Sequence, residues 1–179
     1  MKKILFALAL VFTTQDVLSQ ELPINETTGK VTYEDIVKLE GIEKDVLYIR
    51  ANEWFAKTFK LANAVIQVQD KEAGKIIGRG SISVTNLGYD YGVFEFTLSF
   101  TAKEGRYKYV ITDIRHDKST ATYGGTGGAI ENEKPDCGTF LMFKKQWKSL
   151  KSKADKELKF VSNDLVEYMS RVDNSDEDW

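Results

Sequence analysis

The chain has 179 residues, 42% hydrophobic and 29% charged, the balance of a folded domain with enough length to build its own core. Its formal net charge of −2 leaves no basic surplus of the kind phosphate neutralisation needs, so no nucleic-acid partner is expected. One cysteine excludes an intrachain disulfide, and one cysteine with one histidine excludes the usual zinc ligand sets.

Residues 1–19 carry the marks of a signal peptide. Lys2 and Lys3 form a positive start, Ile4 to Phe12 is an apolar run, and Val17-Leu18-Ser19 offers a cleavage site. The apolar run is about half the length of a membrane span. No later stretch is longer, so the mature chain is expected to have no transmembrane segment, and no cysteine follows the run to take a lipid anchor. Export to the periplasm, the cell envelope or the exterior is the expectation. Removing Lys2, Lys3 and Asp16 from 25 basic and 27 acidic residues leaves 23 against 26, a net charge of −3. Residues 20–172 are expected to form one domain, followed by an acidic tail over 173–179.

Glu21 to Lys30 is a polar, extended leader, and its Asn25-Glu26-Thr27 sequon reads as a chance tripeptide. Val31 to Leu39 predicts a first strand, with Val31, Tyr33, Val37 and Leu39 on one side and Asp35 interrupting them. Glu43 to Leu61 predicts a helix, because Leu47, Ala51, Trp54, Phe55, Thr58 and Ala62 keep a spacing of threes and fours. Glu43 and Asp45 sit in its first turn, where the helix dipole favours negative charge.

Ala64 to Asp70 predicts a second strand, turned by Lys71-Glu72-Ala73-Gly74 into a third over Lys75 to Val84. Gly78 and Gly80 share one face of that third strand, which implies room for the ring of Trp54 or a neighbour. Asn86 to Tyr91 is a turn into the central hairpin, Gly92 to Arg115. There Phe94, Phe96, Leu98 and Phe100 alternate with polar residues, and Tyr107, Tyr109 and Ile111 resume the alternation after the turn. A turn of even length puts all of these side chains on one face, whereas an odd one separates the tyrosines from the phenylalanines. Burial favours the even turn, at about 1.5–3 kcal/mol for each large side chain.

His116 to Thr139 has little periodicity and contains the run Gly124-Gly125-Thr126-Gly127-Gly128, which predicts a long loop. From Phe140 the apolar period turns helical and runs through Phe143, Trp147, Leu150, Ala154, Leu158, Val161, Leu165 and Tyr168 or Met169. Seven lysines between Lys144 and Lys159 occupy its outer side.

Few residues offer chemistry. The glycine run does not open onto a helix and lacks the Lys and Ser or Thr of a phosphate loop, so it is expected to bind no nucleotide. His116 and Cys137 flank the long loop and would have to meet to form a thiolate nucleophile. Without a hydrolase signature around Cys137 they read as two unrelated surface residues. No calcium-loop pattern is present. No catalytic, cofactor-binding or metal-binding residue is therefore assigned, and no cofactor is expected. A small enzyme using Cys137 and His116, and a lipid-surface protein docking through the lysines of the last helix, are the alternatives to a binding module.

The order of elements, with GKVTYEDIV after a Leu-Pro leader, Leu47 to Ala51 with Trp54-Phe55, the Gly78 to Gly80 strand and GRYKYVITDIRH from Gly105 to His116, resembles a family of small exported bacterial proteins. That family is catalogued as domain of unknown function 4468, with a TBP-like fold. The resemblance implies an α+β domain of order β-α-β4-α, a curved antiparallel sheet with two helices packed on one face, in a Gram-negative envelope. It carries over no catalytic residue, and a shape shared with the TATA-binding protein does not transfer DNA binding.

Helices on one face leave the other open to a partner, which would be another envelope protein or a glycan. By strand parity the open face is expected to carry Gln67, Gln69, Arg79, Ser81, Ser83, Glu95, Thr97, Ser99, Lys108, Val110, Thr112 and Ile114. The competing expectation is an ordinary solvated sheet face.

Overall fold

The computed structural model describes residues 21–59, 65–117, 125–136 and 144–171. The expected signal peptide, the ends of the first helix and second strand at 60–64, residues 118–124 of the long loop, Cys137, the expected helix start at Phe140 and the acidic tail lie outside the described residues. The elements are β1 (Tyr33–Lys38), α1 (Lys44–Thr58), β2 (Val65–Asp70), β3 (Lys75–Asn86), β4 (Tyr89–Lys103), β5 (Arg106–Asp117), β6 (Gly128–Ala129) and α2 (Lys144–Ser170). They make an antiparallel sheet in the order β1-β5-β4-β3-β2, with β6 pairing the end of β5.

The hairpin of β4 and β5 is the centre of this sheet. Lys103 pairs with Arg106, so its turn is the two residues Glu104 and Gly105, the latter at φ 64°. With that even turn Phe94, Phe96, Leu98, Phe100, Tyr107, Tyr109 and Ile111 all point to the same buried face. β3 and β4 are longer than the sequence suggests. The expected turn from Asn86 to Tyr91 shrinks to Leu87 and Gly88, which both take positive φ, as a tight hairpin turn requires.

Both helices cover that face. α1 buries Leu47, Tyr48, Ala51, Trp54 and Phe55, and α2 buries Trp147, Leu150, Ala154, Leu158, Leu165 and Met169. α2 has 27 residues and spans about 40 Å, enough to cross every strand. Its Trp147 stacks on Phe94 at 5.8 Å, and near its other end the Asp164 carboxylate accepts a 2.6 Å hydrogen bond from the Trp54 indole. Gly80 gives way to the rings of Phe96 and Phe59 rather than to Trp54: a Cβ there would lie 2.5 Å from Phe96 and 2.9 Å from Phe59.

Bulges decide where parity fails. Asp113 takes φ 55°, and the β4–β5 register shifts between Glu95 and Thr97. Beyond that bulge the strand has turned over, so Ile114, expected on the open face, is 1% exposed in the core. His116 follows it inward and is fully buried, not a surface residue. A second bulge between Ile66 and Val68 turns β2. Gln69 is thereby brought to the helix side, where its amide donates to Asn52 Oδ1 at 2.6 Å, and Val68 takes a place on the open face opposite Ile77.

A sixth strand arises from the second half of the expected loop. Residues 125–136 dock on β5 and α2, with Ile130 fully buried and its amide donating to the Ile114 carbonyl at 3.0 Å.

Candidate functional site: the uncovered sheet face

Register alone assembles the uncovered face. Val68 pairs with Ile77, Ile77 with Ser99, Ser99 with Val110 and Val110 with Glu34. These residues form one row across five strands, about 19 Å long at the usual strand spacing. Three of its members are branched aliphatics, and Val68 at the edge is 41% exposed. The row on one side runs Lys75, Thr101, Lys108 and Ile36, the last 56% exposed. The row on the other side runs Arg79, Thr97 and Thr112, with the Thr32 hydroxyl 3.5 Å from that of Thr112.

Of the residues expected on this face, Arg79, Ser81, Ser83, Glu95, Thr97, Ser99, Lys108, Val110 and Thr112 lie there, and Gln67 sits at the β2 bulge. Ile114 does not. Ile36, Val68 and Ile77 belong to the face and were missed, the first because β1 was read for its buried side alone. A signal for the β5 bulge was present: the large apolar residues pass from odd positions, 107 to 111, to an even one at Ile114. Charge on the face is mixed. Lys108 pairs with Glu34 at 2.6 Å, and the Lys108 ammonium holds the Glu34 carboxyl below the usual carboxylate range.

A groove of about 1260 Å³ lies elsewhere, between the leader, the 130–133 turn and the first half of α2. Leu22, Ile24, Val31 and Ile130 give it apolar surface, while Lys144, Lys148, Lys151 and Lys156 are offset by Glu21, Glu26, Glu131 and Glu133. Lys151 donates to the Asn132 carbonyl at 2.9 Å and lies over the Trp147 ring, and burial lowers its pKa.

His116 is fully buried and does not line this groove. Its ring lies 4.9 Å from Phe94 and 5.7 Å from Trp147. The Gly127 amide donates to Nδ1 at 2.9 Å, and Nε2 is 2.7 Å from the Tyr91 carbonyl. A carbonyl only accepts and an amide only donates, so the ring is the neutral tautomer with its proton on Nε2. Both nitrogens are thus committed to backbone groups. Among the described residues no group of three or more His, Cys, Asp or Glu side chains could hold a metal ion. No described helix is long and apolar enough to cross a membrane.

Residues 33–117 match the family model for a domain of unknown function (DUF4468) with TBP-like fold. Two solved structures are similar. One is a TBP-like protein from Parabacteroides distasonis ATCC 8503, 18% identical, with a TM-score of 0.65 over 82% of this chain and 96% of that one. The other is a DUF4468 family protein from Bacteroides ovatus ATCC 8483, 17% identical, with a TM-score of 0.59 over 88% of this chain and 94% of that one. At such identities the likeness speaks for the fold alone. No curated protein matches the chain. The match to the DUF4468 family, a domain of unknown function with a TBP-like fold, thus runs from the start of β1 to the end of β5.

Proposed function

We propose that the protein is an exported, non-enzymatic binding module of a Gram-negative cell envelope, and that it meets another protein through the uncovered face of its sheet. The observation that carries this reading is the Val68–Ile77–Ser99–Val110 row, an apolar line set in a field of hydroxyls with charges around it. Protein interfaces share that plan, an apolar centre with a polar rim. A glycan is the weaker fit, because the face offers branched aliphatics and no aromatic platform in its central rows. DNA is weaker still: Lys75, Arg79 and Lys108 are interleaved with Glu34, Asp70 and Glu95, so no basic track runs across the strands. The signal features at Lys2, Lys3 and Ile4 to Phe12 support export. A Cys–His enzyme is disfavoured by the double engagement of His116, which leaves no ring nitrogen to activate a thiol.

The test places a photo-crosslinking residue at Ser99 in cells of the source organism. One discrete protein adduct is expected, lost when Thr97→Arg and Thr112→Arg are added while the circular dichroism and melting of the purified double variant stay unchanged. An adduct that survives in the folded double variant, or that forms equally from Glu157 on the outer side of α2, overturns the reading.

A further inference from the structure

The fully buried His116 is used by none of the foregoing, yet it ties together three pieces of the fold. On its own strand it pairs with Gly128 of β6. Its Nδ1 takes the Gly127 amide, and its Nε2 donates to the Tyr91 carbonyl on β4. Gly127 lies so close to the Trp147 ring that a Cβ would come within 2.3 Å of it. The same segment is held at Asn132, whose carbonyl accepts from the Trp147 indole at 2.8 Å.

We propose that His116 is an acid-sensitive latch, whose protonation at Nδ1 releases residues 125–136 from β5 and α2 and so opens the wall of the groove beside α2. The proton would go where the Gly127 N–H already points. Two donors cannot share that line, so the charged ring and the docked segment exclude each other. Ile130 and Glu131 of this segment line the groove, and release would uncover them together with Trp147.

The charges around the ring do not undo this. Asp117 and Arg115 flank it on β5, and Arg115 is 3.5 Å from Asp136 of the segment. α2 contributes Lys151, poised over Trp147, a cation that opposes a second positive charge nearby. β4 contributes the Tyr91 carbonyl and the Phe94 ring, and the segment also carries Glu131. Asp117 and the Tyr91 carbonyl favour protonation, but burial outweighs both and holds the imidazole below its ordinary 6.5. The sign follows from linkage: the open form binds the proton more tightly, so opening grows as pH falls from about 6.5 towards the lowered value, and is flat above and below that window.

Amide hydrogen exchange of the whole protein, corrected for intrinsic rates, tests the latch. Within the window Gly127 protection is expected to fall up to about tenfold per pH unit, while Leu98 in the sheet centre keeps its own. In His116→Asn the carboxamide oxygen can still accept from Gly127 but takes no proton, and the Gly127 profile should be flat. A parallel decline in both proteins, or simultaneous loss at Gly127 and Leu98, overturns the latch. If the variant does not fold, the wild-type imidazole ¹⁵N titration replaces it. Its midpoint should coincide with the lower edge of the Gly127 window, and a ring that stays neutral while Gly127 opens overturns the proposal.

Discussion

The Tyr33 hydroxyl donates a 2.8 Å hydrogen bond to the Asp155 carboxylate in the buried layer between β1 and α2. Asp155 is 1% exposed, and its second oxygen meets Lys159 one turn on, at 2.9 Å. Burial, and then the carboxylate itself, push the Tyr33 pKa well up, so the phenol stays protonated and donating. Nearby Tyr107 is also buried, and its hydroxyl has no hydrogen-bond partner among the described residues.

These two tyrosines should therefore respond in opposite ways to loss of the hydroxyl. Tyr33→Phe strips a donor from a buried carboxylate and should cost about 1–3 kcal/mol. Tyr107→Phe removes a group that burial penalises, and should be neutral or slightly stabilising. Urea unfolding of both variants decides it; equal losses would mean that the Tyr33–Asp155 bond contributes nothing of its own.

A second prediction concerns how the central hairpin starts α1. Glu43 occupies the N-cap position but makes no side-chain cap, and Glu104 from the β4–β5 turn supplies one, its carboxylate accepting from the Lys44 amide at 3.1 Å. The turn is fixed there by two backbone bonds, Leu39 N–H to the Gly105 carbonyl and Gly105 N–H to the Ile42 carbonyl. Glu104→Ala should cost about 0.5–2 kcal/mol, the usual range for a lost cap, and Glu104→Gln less, since an acceptor remains. An alanine variant with an unchanged denaturation midpoint would show that the cap is idle.

That cap marks where reading the sequence stops. The apolar periods of 47–55 and 147–169 located both helices, and the alternation of 94–111 located the hairpin and its even turn, because one-dimensional spacing encodes which side of an element is dry. Bulges change that spacing by one residue. At Asp113 the apolar phase shift was visible but had no glycine to mark it, so parity carried Ile114 to the wrong face. Glu104 and the 125–136 segment have no local signal: a cap donated by a turn 60 residues away and a loop docked on His116 and Trp147 exist only once the sheet has formed. The open face was legible for the same reason as the core, being its complement.

A last prediction concerns a close approach between β3 and β4. Gly80 pairs with Phe96 across β3 and β4, and a methyl at position 80 would stand 2.5 Å from the Phe96 ring. Phe96 is 2% exposed, and Phe59 lies against it at 6.4 Å, so the ring has nowhere to swing. Gly80→Ala should then behave as overpacking and cost about 1–3 kcal/mol. Phe96→Leu alone should also destabilise, by lost burial and a cavity. Together the two should cost less than their sum by at least about 0.5 kcal/mol, since the smaller side chain frees the space the methyl needs. Denaturant unfolding of the two single variants and the double variant measures that coupling. Strict additivity would mean that the Phe96 ring does not press on Gly80, and that glycine is required at position 80 for some reason other than this contact.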